Sequence, residues 1–429
     1  MLKSVYRALQ LMILYSPAVG SSPLLLFPSA DIHLLWWSIL KGSIKRSGPC
    51  FTKLAQWIAT RPDLFPGYIC RELETLQVSA VTHSWAETER ALLAALGPEL
   101  YEKITIVDKT KYTGSGSAAQ VYLGLYNHEK IAIKVLHPGI RDAMNADLDI
   151  LSLITSVAEL FPGVSSMSLH EGMEEFRNLL LQQLNLKSEA EALLRFRENF
   201  KGPKWEDEVR FPKPLMELTS SEVLFESFED GCSISRYLDS DKKTKSKLAN
   251  LCLDVLLKMV FEDNFVHGDL HGGNILVQKK ERGASKDGIS VSVIDTGISH
   301  TMTSIDRKNF IDVFYAFVRH DGDHLGQIMC ERSRGSMPII DQKGFEKGMS
   351  DVVALMHREG IEKVGVGAMM QRVFSLCYQH QVKLESRYAS FIIAVSIMEG
   401  LVRQLDPDIN ILSKATPYII KAALNSAIS

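Results

Sequence analysis

The chain has 429 residues, of which 46% are hydrophobic and 23% charged, with a formal charge of -3 and a pI near 6.5. That is long and apolar enough for two lobes with sizeable cores, and it offers no electrostatic reason to expect a nucleic-acid partner. Its six cysteines, Cys50, Cys70, Cys232, Cys252, Cys330 and Cys377, are scattered without Cys-x-x-Cys spacing, which suits reduced, mostly packed thiols better than a zinc site or disulfide framework.

The apolar stretches Leu9–Leu14 and Leu24–Phe27 are interrupted by Pro17, Pro23 and Pro28, and Leu34-Leu-Trp36-Trp37 follows. A spanning helix wants about 20 continuous apolar residues, so the pattern predicts interfacial attachment or packing on the protein body over a clean span. Paired tryptophans fit either a membrane interface or a buried helix pair. Lys3 and Arg7 give a faint transit-peptide signal. Next, Lys53, Gln56 and Thr60 share one face at helical spacing, while Phe51, Leu54, Ala55 and Ile58 form an apolar one. Alone, that pattern is an amphipathic helix with a solvated polar face. Further helices are predicted over Ile69–Gln77 and over Trp85–Leu96, the second ending at Gly97-Pro98.

Residues 104–137 carry strand patterns. Thr113-Gly114-Ser115-Gly116-Ser117-Ala118-Ala119-Gln120-Val-Tyr122 predicts strand, turn and strand, with small residues that let backbone N–H groups approach phosphates. Lys134, within Ile131-Ala-Ile-Lys-Val135, is placed to grip non-transferred phosphates. A Gly-Ser-Gly by itself is more often an ordinary hairpin, but a strand lysine between Ile and Val needs a partner. Asp142–Phe161 and Glu171–Phe200 predict long helices broken at Pro162-Gly163. Two more strands are expected within Phe211–Phe228, with Glu226–Gly231 connecting two lobes.

The densest signal is Phe265-Val-His267-Gly-Asp269-Leu-His271-Gly-Gly-Asn274-Ile-Leu-Val277, a loop entering an apolar strand after a helix that ends near Asn264. Asp269 can orient or deprotonate a hydroxyl, and Asn274 can give an oxygen to a metal that neutralises phosphate charge. Val291-Ser-Val-Ile294-Asp295-Thr296-Gly297 then predicts a buried strand ending in an acid, with Gly297 for a tight turn. Each motif recurs by chance, but their order is that of a protein-kinase-like site for ATP and Mg2+. Lys279–Gly288 predicts a surface hairpin between the two strands, and helices are expected from Ile305 onward. His271 stands where an ordinary kinase often has Lys, and no Ala-Pro-Glu follows Asp295-Thr-Gly, so a peptide-docking segment has no room and ordinary serine/threonine kinase activity is disfavoured.

Taken with Phe51-Thr-Lys53-Leu-Ala55-Gln56-Trp-Ile-Ala-Thr60-Arg61-Pro62-Asp63-Leu-Phe-Pro66, these motifs resemble the UbiB/ADCK family of atypical kinases, and the altered motif and Gln183 resemble the second animal ADCK subgroup. The resemblance runs from about residue 5 to residue 420. It implies an α+β, bilobal protein-kinase-like fold: a helical extension over 1–100 carrying the Lys53-Gln56 motif, a small lobe over 101–230, and a large, mainly helical lobe over 231–429. In that family a Lys-x-Gly-Gln helix folds over the nucleotide site; Lys53 and Gln56 match it and Ala55 replaces the glycine, which questions close helix packing. The family's charged pattern appears as Gln183-Leu-Asn185-Leu-Lys-Ser-Glu189-Ala190, which leaves Glu189 as the matched acid, with a solvated helix residue as the equal alternative.

By the same resemblance Asp269 and Lys134 are catalytic, Asn274 and Asp295 hold magnesium, and Gly114–Ala119, Lys134, Lys53, Gln56 and Glu189 serve the nucleotide. It further implies an ATPase or phosphotransferase acting on a small or lipid-like acceptor, with a lipid or quinone-precursor ligand, a membrane surface and protein partners in a biosynthetic complex. The expected location is mitochondrial, at the inner membrane, in lipid and coenzyme Q metabolism. Two alternatives remain open here: a catalytically weak, nucleotide-gated scaffold, favoured by Gln183 and Asn185, and a soluble small-molecule kinase of the aminoglycoside or choline type, which shares the His-Gly-Asp-Leu-His loop but lacks the Lys53–Pro66 motif.

Overall fold

The computed structural model describes residues 2–27, 29–61, 65–76, 81–160, 169–279, 288–333, 338–359, 365–382 and 386–428. Pro62–Leu64 of the upstream motif, Gln77, the Pro162-Gly163 break and the hairpin segment 280–287 lie outside the described residues. Two compact units emerge, residues 1–187 with 216–225 and residues 188–215 with 226–429.

The first unit opens with helices α1 (Leu2–Ser21), α2 (Ala30–Arg46), α3 (Pro49–Ala59), α4 (Gly67–Glu74), α5 (Trp85–Leu96) and α6 (Pro98–Tyr101). Pro17 does not interrupt α1. A proline leaves the carbonyl four residues earlier without its helical donor, and the Ser16 hydroxyl fills that place by donating to Ile13 O at 2.8 Å. Ser84 and Glu87 form a capping box at the start of α5, and Gly97, at φ +73°, ends it as the Gly-Pro pair predicts.

A sheet follows, built from β1 (Ile104–Ile106), β2 (Gly114–Ser115), β3 (Ala119–Tyr126) and β4 (Glu129–Leu136). Helices α7 (Ile140–Ala158), α8 (Leu169–Gln183) and α9 (Leu186–Asn199) come next, then the two-residue β5 (Val209–Arg210) and β6 (Val223–Ser227), which completes the order β1-β3-β4-β6 with β2 on β3. The single helix expected over Glu171–Phe200 is therefore two. The Leu186 N–H donates to Ser221 O at 3.1 Å and Arg141 takes Leu184 O at 2.7 Å, so tertiary partners replace the helical ones at the break. Between Phe211 and Phe228 only β6 is a strand; Pro214 makes a single bridge to Glu226.

In the second unit β5 runs parallel to β10 (Ile289–Val293), which pairs with β9 (Ile275–Lys279) and through it with β7 (Cys232–Ser233). The buried helix α10 (Lys242–Leu257) continues as a π turn over Lys258–Asp263 and is stopped by Asn264 in the left-handed region, φ +50°. Asn264 then bonds both backbone groups of Met302, donating to its O at 2.8 Å and accepting from its N–H at 3.2 Å. From Ser304 onward the described residues are mainly helical, α11 (Ser304–Val318) through α16 (Ile411–Ile428).

Candidate functional site

The second unit holds one group of candidate residues on a rigid frame. β8 (Val266–His267) pairs with β11 (Ser299–His300), placing His267 opposite Ser299. His267 is fully buried; its Nδ1 accepts the Asp269 N–H at 3.1 Å, so its Nε2 carries the proton and donates to Ile294 O at 3.3 Å. Burial pushes the His267 imidazole down from its ordinary pKa, outweighing the nearby Asp269 carboxylate, and burial lowers His300 to about 4. Gly268 is required here: a Cβ would come within 2.5 Å of His300 Nε2 and 2.6 Å of Ile298 Cγ2.

This neutral imidazole aims the loop. The Asp269 side chain is 38% exposed, and His271 Nε2 lies 3.9 Å from its Oδ2. Asn274, 8% exposed, donates its amide to Asp269 O at 2.9 Å, which commits the nitrogen and turns the amide oxygen to acceptor duty. Ile294 N donates to Asn274 O at 2.9 Å, coupling this loop to the strand that delivers Asp295.

Asp295 is exposed in the left-handed region at φ +57°, a conformation Asp and Asn tolerate better than most residues. Next to it Thr296 is fully buried and donates to Glu189 O at 3.3 Å. A Cβ on Gly297 would lie 3.3 Å from Glu189 Oε2 and 3.4 Å from Asp295 Oδ1, so both carboxylates crowd the glycine. Glu189 is only 3% exposed. Two acids and an amide oxygen make an all-oxygen donor set of the kind a hard divalent cation prefers. Among the described residues no set of three or more His, Cys, Asp or Glu side chains forms a metal-binding cluster.

The first unit carries the other candidates. Gly114 pairs with Val121 and Ser115 with Gln120, and Gly116 N donates to Ala119 O at 2.9 Å, closing the expected hairpin. Neither glycine is demanded by the backbone: a Cβ would meet nothing within 4 Å at Gly114 and only Ala119 O at 3.9 Å at Gly116. Lys134 is half-buried opposite Val121, between the buried Ile133 and Val135. Lys53 is half-buried and Gln56 exposed on the polar face of α3, whose main neighbours are α2, α4, α7 and α8. Ala55 is buried at 2% exposure, so its methyl is accommodated.

Its apolar face borders a feature that the linear pattern did not reveal. Residues of α1, α2, α3, α4 and α7, among them Leu11, Tyr15, Trp36, Trp37, Ala55 and Leu153, line a groove of about 970 Å³. The tryptophans are thus its walls, edge to face at 5.2 Å, with Trp36 donating to Ala18 O at 2.9 Å. Over Val5–Leu26 the 22-residue apolar segment is long and apolar enough to cross a membrane, and little of it is buried. Arg7 is bound into the body: its guanidinium grips Asp147 of α7 at 2.6 and 2.9 Å and also donates to Ser47 O.

A family model for the ABC1 atypical kinase-like domain matches residues 75–329. This chain belongs to that family. A mitochondrial ABC1 family protein of Schizosaccharomyces pombe is 28% identical over 501 aligned residues, covering 99% of this chain and 72% of the relative. A protein named "Probable protein kinase UbiB" from Aeromonas hydrophila is 27% identical over 377 residues, 87% of this chain and 67% of its own length. The solved structure of the Rv3197–erythromycin complex from Mycobacterium tuberculosis matches with a TM-score of 0.51 at 17% identity, over 82% of this chain and 87% of that one. The mixed helix and sheet arrangement is accordingly the kinase-like fold of the ABC1 family, preceded by a helical N-terminal region. Membership sets aside the aminoglycoside- or choline-kinase alternative.

Proposed function

We propose that this ABC1 family chain binds ATP with magnesium and acts as an ATPase or phosphotransferase on a small or lipid-like acceptor. The observation that carries this reading is the grouping of Asp269, Asn274 and Asp295, on a loop and strand end locked by the neutral His267, with Glu189 of α9 beside Gly297. Asn274 and Asp295 would hold magnesium, and the buried Glu189 beside Asp295 adds negative charge that favours a cation there. Magnesium, when bound, would neutralise phosphate charge. Asp269, half in solvent and oriented through its own backbone, would take the proton of the acceptor hydroxyl or water. Lys134 and the backbone N–H groups of Gly114–Ala119 would bind phosphates, with Lys53 and Gln56 serving the same nucleotide from α3.

The lipid half of the proposal rests on the groove and on α1. One side of α1 is fastened by Arg7 and packs on α2 and α7, while Tyr6, Leu9, Met12, Ile13 and Val19 face outward. An anchored helix with an apolar outer face suits a membrane surface, and the groove beneath it suits an apolar chain such as a quinone precursor. The mitochondrial ABC1 relative supports a mitochondrial location; our reading extends it to an inner-membrane-associated role in lipid or coenzyme Q metabolism, alongside partner proteins. The test is nucleotide titration with and without magnesium, followed by phosphate release with and without liposomes. Magnesium-dependent binding with lipid-stimulated turnover is the expected result; binding without any turnover would make the chain a nucleotide-gated scaffold, and no binding would remove the nucleotide reading.

A further inference from the structure

The underside of the glycine loop is held by a chain of side chains that none of the roles above uses. His137 Nε2 contacts Gly116 O at 3.0 Å, and its Nδ1 lies 2.7 Å from Nδ1 of His83. On the far side His83 Nε2 meets Thr88 Oγ1 at 2.9 Å, and Thr88 meets the Tyr122 hydroxyl at 3.2 Å. Gln120, 1% exposed, closes the ring: its amide donates to Tyr122 OH at 2.6 Å and its oxygen accepts the His83 N–H at 3.1 Å. Two further ties run parallel to it, His137 N donating to Ala118 O at 2.9 Å and the Ser115 hydroxyl donating to Val81 O at 2.5 Å.

Proton accounting constrains the pair. A carbonyl only accepts, so His137 must carry a proton on Nε2. With both rings neutral, His137 Nδ1 is then an acceptor, His83 Nδ1–H donates to it, and His83 Nε2 accepts from Thr88. One added proton is absorbed at His83 Nε2 when the Thr88 hydroxyl turns to Tyr122. A second has no place: it would set two N–H groups against each other across 2.7 Å. We infer that His83 and His137 are positioning residues that hold the glycine loop in its phosphate-ready shape, and that double protonation of the pair releases the loop.

The surroundings agree with the geometry. His83 is held below its ordinary pKa by burial first and by His137 second, against a weak opposing pull from Glu87 of α5. Glu87 is itself engaged by Ser84, and β3 presents only Gln120 and the Tyr122 phenol to the pair. A group with a depressed folded pKa adds stability that is complete above its unfolded value, about 6.5 for His, and is lost as pH falls through the folded one. The loop should therefore be firm at pH 7.5 and loosen on acidification.

The effect on nucleotide binding rests on the nucleotide reading above, so the test measures the loop without nucleotide. Hydrogen exchange of the amides over residues 113–121, corrected for intrinsic rates, is followed from pH 7.5 to 5. Protection should fall by about fivefold, the equilibrium factor for one neutral hydrogen bond, and His137→Gln, which keeps a donor for Gly116 but does not titrate, should flatten the profile. His83→Gln serves as a second variant, with circular dichroism checking that each folds. A parent profile without acid loosening, or one that both folded glutamine variants share, would overturn the inference. If the loop responds as expected but ATP does not bind at any pH, the strut stands and the nucleotide reading fails.

Discussion

Asp295→Asn separates metal binding from folding more cleanly than any other change in this site. The residue sits at φ +57°, where alanine would pay for a left-handed backbone but Asn is tolerated as well as Asp, and its side chain is exposed. The fold should therefore change by no more than about 0.5 kcal/mol. The carboxylate oxygen, 3.4 Å from the Cβ position of Gly297 on the side that also faces Glu189, would be replaced by an uncharged amide. A ligand at 100 times its Kd stabilises a folded protein by about 2.7 kcal/mol, and a hundredfold loss of affinity cuts that to about 0.4 kcal/mol. Thermal unfolding with magnesium and ATP reads the difference directly: equal melting without ligand, and a shift with ligand in the parent alone. A mutant stabilised as strongly as the parent would show that Asp295 is not a metal ligand, whereas a mutant that melts early without ligand would mean that it supports the fold.

Asp269→Asn should leave nucleotide affinity within about twofold but lower turnover by about 100-fold or more, because proton transfer matters only in the reaction; equal losses in both, measured by titration and phosphate release, would reassign it. Lys53→Ala should change nucleotide affinity by more than about 0.5 kcal/mol if the polar face of α3 serves the nucleotide, and calorimetric titrations matching the parent would return that face to solvent. Ile13→Glu, at a position 72% exposed, should reduce cosedimentation with anionic liposomes without shifting the melting temperature, while unfolding would mean that the outer face of α1 is structural. His300, lowered by burial to about 4 from an ordinary 6.5, should withdraw stability as pH falls from about 6.5 towards 4, and His300→Gln should flatten denaturant midpoints over that range.

Local structure was legible in the chain. The Asp269, Asn274 and Asp295 motifs depend on short-range order, a helix end, a tight loop and a buried strand, and each of those is written in a few adjacent residues. The hairpin of Gly114–Ala119, the lysine strand and the two faces of α3 were readable for the same reason, since pattern period is a local property. What pattern could not supply was any pairing across distance. Glu189 and Asp295, more than a hundred positions apart, both crowd Gly297, His83 meets His137 across 54, and Arg7 finds Asp147 across 140. The same blindness explains the misread elements. Pro17 reads as a breaker until Ser16 supplies the missing donor, and the helix through Leu184 reads as continuous until Arg141 and Ser221 take its backbone groups. Backbone polar groups must be satisfied somewhere, but only tertiary packing decides by which partner.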